Sequence, residues 1–517
     1  MNDVEVLIAG AGPTGLLLAL WLARRGIVVR IVDRALAPGT TSRALVVQAR
    51  TLEWYRQLGI ADEVATSGRR AIAVNLWVSA RKVARAVLGD MGAGLGPYPY
   101  ALVYPQDEHE AMLVRRLAEA GVAVERGTEL LDFHEEADRV IAQVKRPDGT
   151  IERCVAEYLA GCDGAHSTVR ERLAVGFPGG TYEHLFYVAD VDASGRTMDG
   201  ELHVGLESTD FLVLFPLPGE GHARLIGTVR DRPAEARDTL AWKDVSRRVM
   251  KWMEVDVTRV NWFSIYHVHH RVADRFRIGR AFLLGDAAHV HSPVGGQGMN
   301  TGLGDAVNLA WKLADVLRGR AAPALLDTYQ PERIGFARRL VATTDRGFIA
   351  VTSSTPMARF TRLWVVPLLV PIVFASRAAR RYFFRVVSQT AIHYPDGGLS
   401  EGRAGAVRGG DRLPWVPQAS NEGDNHRLLA SMDWQVHVYG EATSELRNVC
   451  AERNLALHVF PWRSSMRRTG FERNAAYLIR PDGYVALAAH ADDASALTAY
   501  ADAHGLEWSR ERAESRA

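Results

Sequence analysis

The sequence predicts an α/β protein in three parts: a discontinuous nucleotide-binding unit, an antiparallel sheet inserted into it, and a smaller α/β domain behind them. Three observations carry that prediction. The chain opens with a strand, a glycine-rich turn, a helix and a second strand ending in an acid; residues 181–270 switch to short alternating strands; and residues 281–313 repeat the order of strand, acid, glycine-rich turn and helix. At 517 residues the chain exceeds the size at which one core keeps growing, so two or three domains are expected.

Residues 4–9 are a β-rich run leading into Gly10-Ala11-Gly12-Pro13-Thr14-Gly15. A helical pattern over 16–25 is closed by Gly26, and a second strand over 27–32 ends at Asp33-Arg34. In a Rossmann-type βαβ unit the glycines of GxGxxG permit the tight turn and the approach of a pyrophosphate, and the acid after the second strand binds ribose hydroxyls. Ser42-Arg43 falls in a polar loop where an arginine can pair with a phosphate or simply stay solvated. Helices are expected near 51–58 and, after Tyr104-Pro105-Gln106, over 108–120. Strands at 122–124 and 139–144 precede the turn Pro147-Asp148-Gly149, and a further strand ends in Cys162-Asp163-Gly164.

Within 181–270, strands are expected at 185–191, 201–206, 211–215, 222–229 and 262–269, with a helix near 240–253. Residues 363–375 are apolar but only 13 long, broken by Pro367 and Pro371 and followed by Arg377, Arg380, Arg381 and Arg385. That is too short to span a bilayer, and a buried or interface helix pair is the expectation rather than membrane attachment. A glycine-rich polar stretch, 396–426, reads as a linker. Beyond it, strands near 434–439, 455–460, 475–479 and 484–489 make the last domain, 427–517.

The 62 Lys+Arg against 60 Asp+Glu leave a net charge of +2, which gives no general attraction to nucleic acid. Cys154, Cys162 and Cys450 form no CxxC and no even-numbered framework, pointing to a reducing, cytoplasmic setting without structural zinc or a dithiol centre. The apolar start is interrupted by glycines and carries Asp3 and Glu5, so it reads as fold rather than as a signal peptide.

The most informative stretch is Gly285-Asp286-Ala287-Ala288-His289, continuing through Pro293, Gly295, Gly296, Gly298, Met299 and Asn300. Glycines let backbone N–H groups approach a ligand, a helix N-terminus stabilises negative charge, and Asp286 can accept hydrogen bonds from ligand hydroxyls. A glycine-rich turn without a ligand is the plain alternative for this stretch alone.

Together GAGPTG at Gly10, CDGAHSTVR at Cys162 and GRAFLLGDAAHVHSPVGGQGMNTGLGDAVNLAWKL at Gly279 resemble the single-component FAD-dependent monooxygenases of the para-hydroxybenzoate and phenol hydroxylase type, over about residues 1–390. The tail, around Gly409-Gly410-Asp411-Arg412-Leu413-Pro414, resembles the thioredoxin-like domain of longer members but lacks CxxC. The resemblance implies an FAD-binding domain over 1–180 with 271–395 and a substrate domain over 181–270. Gly10, Gly12, Pro13, Thr14 and Gly15 would hold the pyrophosphate, and Asp33 with Arg34 the adenosine end. Arg43 and Gln106 would lie near the phosphate and ribityl chain, Asp286 on the ribityl hydroxyls, and Asp163 in a motif linked to FAD and NAD(P)H. Pro293, Gly295, Gly296, Gly298, Met299 and Asn300 would lie along the flavin ring.

The implied reaction uses NADPH or NADH to reduce FAD, adds O2 to form a flavin C4a-hydroperoxide, and hydroxylates a phenolic or polycyclic aromatic substrate. No base for the substrate stands out. His267 and His269 share one face of a strand by period-two alternation and are candidates, with ordinary strand histidines the alternative. Tyr187 and Phe211 are candidate lining aromatics, though single aromatics are commonly core. No metal-ligand spacing is apparent. Alternatives are a flavin-binding oxidase or dehydrogenase that inserts no oxygen, or a non-catalytic flavin-binding protein; the WxWxIP of flavin halogenases is absent. A homodimer is compatible with the sequence.

Overall fold

β1 (Asp3–Ala9) pairs in parallel with β2 (Val29–Asp33) on one side and with Ile151–Gly161 on the other. Ile151–Gly161 in turn pairs in parallel with Ala281–Leu283, so the two glycine-rich turns leave the same edge of one eight-stranded sheet. The connecting helix α1 (Pro13–Arg24) is apolar all round, LLLALWL, because it is covered on every side: residues 15–22 are all buried between the sheet and the helix Gly298–Leu317. The computed structural model describes residues 3–39, 44–207, 211–229, 240–292, 294–352, 355–417, 423–490 and 493–508.

The inserted sheet has eight strands and is built on the long antiparallel pair Gly179–Ser194 and Asp256–Val272. It extends beyond the expected 181–270, because Ala73–Val78 and Arg81–Val87 join it; Ala73–Val78 pairs in parallel with Leu202–Leu206. Strand alternation gives the sheet two different faces. Leu185, Tyr187, Leu212, Leu214, Leu225 and Ile265 pack under the short helix Arg248–Trp252. Phe186, Val188, Ile226, Tyr266 and Val268 occupy the other face, with Phe211, Val213 and Phe215 half-buried beside them. The helix expected over 240–253 is only a 3-10 turn, Trp242–Asp244, and that five-residue helix.

The C-terminal domain is a mixed six-stranded sheet that includes Glu401–Ala404 and Val407–Arg408, so the stretch expected to be a linker begins the domain instead. Its glycines serve tight strand connections there rather than free coil. The domain is clamped to the rest of the chain: Arg480 donates to both oxygens of Glu332 at 2.6 and 3.1 Å and to Asp482, while Lys312 donates to Glu332 at 2.9 Å, all fully buried.

The apolar stretch near 363–375 also departs from expectation. It forms part of a continuous helical run, Pro356–Phe360, a π turn Thr361–Val365 and Val366–Ala375. Pro367 sits in the first turn of the last helix, where its missing N–H costs nothing, and the wide π turn precedes it. The run is exposed, not buried; Trp364, Leu368 and Ile372 are 63–70% accessible.

Candidate active site

The turn after β1 is shaped by contacts that exclude a side chain at two positions and leave room at a third. A Cβ on Gly10, whose φ is +101°, would overlap the Cys162 carbonyl, and one on Gly15 would overlap the Gly10 carbonyl. A Cβ on Gly12 would meet no protein atom within 4 Å. Gly12 is also the residue capping α1, so the open space lies at a helix N-terminus, where an anion is stabilised. Asp33 orients this turn: one carboxylate oxygen accepts from the Ala11 N–H at 2.6 Å and the other from the Ala35 N–H at 2.8 Å. Arg126 stands 3.5 Å from the same carboxylate.

The second glycine-rich turn packs directly against the first. A Cβ on Gly285 would lie 2.7 Å from the Thr14 hydroxyl, and one on Gly302 would overlap that same hydroxyl. Asp286 is exposed at the end of the strand Ala281–Leu283, whereas Asp305, one helical layer behind, is fully buried. Asp305 accepts from the Gly285 N–H at 3.0 Å, His289 Nε2 at 2.7 Å and Arg333 Nε at 2.6 Å. Despite its burial, the Arg333 guanidinium and His289 hold its carboxyl below the usual range. Asp305 lies within the quoted motif, but nothing in a one-dimensional reading separates it from Asp286; burial does.

Gly295 and Gly296 both have positive φ, and the turn they make is pinned from behind by Asn300. Its Oδ1 accepts from the Gln48 N–H at 2.9 Å and the Thr51 hydroxyl at 2.8 Å, and its Nδ2 donates to the carbonyls of Val46 at 2.8 Å and Gly296 at 2.9 Å. Gln48 adds a bond from Nε2 to the Gly295 carbonyl at 3.0 Å. The helix Gly298–Leu317 then starts at the turn, with Gly298 and Met299 partly accessible. His291 sits against Gly298, its Nδ1–H donating to the Ser292 carbonyl at 2.8 Å and its Nε2 shut off from water without a partner. Burial pushes this imidazole down to about 4, so it is neutral at pH 7.

The sheet face carrying Phe186 and Phe211 lies over this turn. Phe215 packs both with that face and with a cluster containing Leu45 and Val46, and Val46 is the residue a Gly296 Cβ would touch at 2.9 Å. Phe211 packs against Phe186 at a tilt, 5.7 Å between ring centroids. Tyr187 is on the opposite face, packed with Trp242 and Phe263 beneath Arg248–Trp252. His267 stands opposite Leu185 and His269 bonds the Thr181 hydroxyl at 2.7 Å, so neither shares the face of Phe186. A polar group that does is Thr228, directly across from Phe186, buried and without a hydrogen-bond partner among the described residues. No motif announced Thr228; only strand register reveals it.

Asp163 takes a scaffold position: it accepts from the Ser167 hydroxyl at 2.5 Å and the Val169 N–H at 3.1 Å, holding the start of the helix Thr168–Arg172, and burial raises its carboxyl. Gln106 accepts from the Ala44 N–H at 3.2 Å and donates to Glu110 at 2.8 Å. Arg34 is exposed beyond β2. Arg43 and Pro293 lie outside the described residues. Among the described residues no cluster of metal-ligating side chains is present.

Residues 3–344 match the family model described as FAD binding domain. The chain belongs to that family. It is 40% identical over 412 residues to a 6-methylpretetramide 4-monooxygenase of Streptomyces rimosus, covering 78% of this chain and 72% of that one. It is 31% identical over 505 residues to a 12-dehydrotetracycline 5-monooxygenase/anhydrotetracycline 6-monooxygenase of Streptomyces rimosus subsp. rimosus, covering 93% and 94%. The solved structure of the anhydrotetracycline hydroxylase OxyS from Streptomyces rimosus superposes with a TM-score of 0.76 at 27% identity, covering 97% of this chain and 99% of that one. The cleft has the chemistry that FAD demands: a helix N-terminus with open space for phosphate, an exposed acid for hydroxyls, and a glycine turn bounded by an apolar wall.

Proposed function

We propose that this chain, an FAD-dependent and NAD(P)H-consuming aromatic monooxygenase, hydroxylates a fused-ring phenolic substrate held between the Gly295–Asn300 turn and the Phe186–Phe211 wall. The redox and oxygen chemistry is supplied by FAD, with NAD(P)H as reductant and O2 as oxidant. Gly12 leaves space for the pyrophosphate at the N-terminus of α1, Asp33 and Arg34 lie toward the adenosine end, and Asp286 accepts from the ribityl hydroxyls. The partly accessible Gly298 and Met299 would lie along a bound flavin ring, where the N-terminus of their helix would stabilise negative charge. Arg43, Gln106 and Pro293 belong to the same set by their sequence positions.

The observation that carries the substrate reading is the wall itself. Phe211, Val213 and Phe215, half-buried in front of the fully buried Phe186, present an apolar surface beside the turn, suited to a flat polycycle and to excluding water from the reacting centre. Thr228, the buried hydroxyl on that wall with open bonding capacity, positions a substrate hydroxyl. The relatives named for tetracycline-series substrates are compatible with this size class. The C-terminal domain, read as thioredoxin-like without a dithiol, serves as a structural support.

The test is substrate-stimulated turnover. Purified protein is expected to be yellow, to oxidise NADPH or NADH slowly alone and faster with polycyclic phenols, and to yield a product heavier by one oxygen atom. Protein that never takes up FAD would overturn the whole reading. Uptake of FAD with stimulation by simple phenols but not by polycycles would overturn only the substrate class.

A further inference from the structure

The helical run Pro356–Ala375 and the following helix Arg377–Val387 present an apolar surface that no described residue covers. Phe360, Trp364, Leu368, Leu369, Ile372 and Val373 are 49–70% accessible, and Tyr382 at 71% continues the patch onto the second helix. Soluble proteins rarely leave so many large side chains together in water unless they meet something.

The charges around the patch say what that is. Residues 355–395 contain six arginines and no aspartate, glutamate or lysine, in a chain whose whole net charge is only +2. Arg362 is buried, but Arg359, Arg377, Arg380, Arg381 and Arg385 flank the patch, and none makes an ion pair among the described residues. Arg381 is bonded only to the Ala93 carbonyl, and burial with the like charges of Arg377 and Arg385 lowers its guanidinium. A second copy seated here would set one uncompensated arginine cluster against another. An anionic surface complements it.

We propose that this helical pair is an interfacial anchor that seats the enzyme on an anionic lipid bilayer, with Trp364, Leu368 and Ile372 in the acyl boundary and the arginines at the headgroups. The 20-residue run is long and apolar enough to cross a membrane by composition, but its two flanks are packed on the same body. Ile334 and Ala337, ahead of the run, are packed in the core of the nucleotide-binding unit, and Phe384, behind it, is buried with Leu45, Val46 and Met91 of that same unit, so a span would place parts of one body on opposite sides. Lying flat is the arrangement the fold allows. The same cluster connects the buried side of the pair to the proposed substrate wall through Phe215, which puts the lipid side beside the route by which an apolar polycycle would enter.

Flotation of the full-length, FAD-loaded enzyme with vesicles tests this. Vesicles of phosphatidylcholine with phosphatidylglycerol are expected to carry at least about ten-fold more protein than phosphatidylcholine alone, and rising salt should release it. The double variant Trp364→Glu/Leu368→Glu should lose binding while keeping its flavin content and basal NAD(P)H oxidation. Arg377→Gln/Arg380→Gln/Arg385→Gln should weaken binding and flatten its salt dependence. Absence of binding to anionic vesicles, or binding unchanged in both variants, would overturn the proposal. So would sedimentation showing a dimer that Trp364→Glu/Leu368→Glu converts to monomer without any vesicle binding, since the face would then be a self-interface.

Discussion

Gly12→Ala separates the cofactor's demands on the first turn from the fold's own. At Gly12 the backbone has φ −77° and ψ −179°, which any residue adopts, and the added methyl would meet no protein atom within 4 Å. The apoprotein should lose at most about 1 kcal/mol, the difference between glycine and alanine at a helix cap. The same methyl occupies space needed by a phosphate at the end of α1, so FAD affinity should fall by about 10- to 100-fold, or about 1.4–2.8 kcal/mol. Gly10→Ala is the contrasting variant. Its φ of +101° and its overlap with the Cys162 carbonyl strain the fold itself, by roughly 1–3 kcal/mol or more, with or without cofactor. The assay is thermal melting of apo and FAD-loaded protein together with titration of FAD fluorescence. Wild-type affinity in Gly12→Ala would refute placement of the pyrophosphate at α1. A large drop in the apo melting temperature would refute the claim that the space belongs to the ligand.

The other predictions address scaffold, wall, acidification and tail. Asp305→Asn leaves Arg333 buried without its carboxylate and loosens the Gly285 turn, so unfolding free energy should drop by about 3–5 kcal/mol and FAD should dissociate faster; denaturant titration and stopped-flow fluorescence measure the two. Thr228→Val removes a buried hydroxyl with no partner, so stability should stay level or rise by about 1 kcal/mol while KM for a hydroxylated substrate increases; a lower melting temperature with unchanged KM would count against a substrate contact. His291, at about 4, and His109, at about 3, are kept neutral by burial, so the unfolded chain binds more protons below the ordinary 6.5. The contribution of the pair should therefore be full above about pH 6.5, decline as pH falls below it and level off past the folded values near 4 and 3; melting against pH reads this, and His291→Gln should make the decline shallower between about pH 6.5 and 4 while leaving the part that continues toward 3. Arg480→Met leaves Glu332 and Asp482 buried with one cation fewer, so the C-terminal domain should detach at about 3–5 kcal/mol lower cost, seen as new protease cleavage in the segment that leads into Glu401–Ala404.

The nucleotide-binding half was legible in the sequence because its determinants are local. Strand, GxGxxG, helix and Asp33 are adjacent in the chain, and their spacing is the structure. What was not legible depends on pairing across the chain. The strands at 73–87 join the inserted sheet only because Ala73–Val78 finds Leu202–Leu206, a contact no local pattern encodes. Tyr187 and Phe211 looked equivalent as aromatics, yet register sends one beneath Arg248–Trp252 and the other to the wall. The stretch 396–426 looked like linker because its glycines and polar residues also serve the tight turn between Glu401–Ala404 and Val407–Arg408. The apolar run at 363–375 was recognised as a buried or interface helix pair, and the chain leaves it exposed, because hydrophobicity specifies a preference and not a partner.

Hydrogen-bond capacity distinguishes the polar residues that face a ligand from those that only hold the site in shape. Asn300 uses both its acceptor capacity and its two donors on protein groups, and Asp305 carries three bonds in full burial. Both lie in the most recognisable motif of the chain, and both serve its backbone. The hydroxyl of Thr228 and Nε2 of His291 are shut off from water and have no partner among the described residues, a state that costs about 1–3 kcal/mol per group unless something else completes it. Neither was singled out by spacing. Asn300 and Asp305 thus hold the cradle in shape, while Thr228 on its strand and His291 inside the same motif keep a bonding atom that no described residue uses. Relatives with the same cofactor can therefore differ in substrate while their glycine-rich turns stay alike, and a search for specificity in this chain belongs on the Phe186–Thr228 face rather than in the motifs.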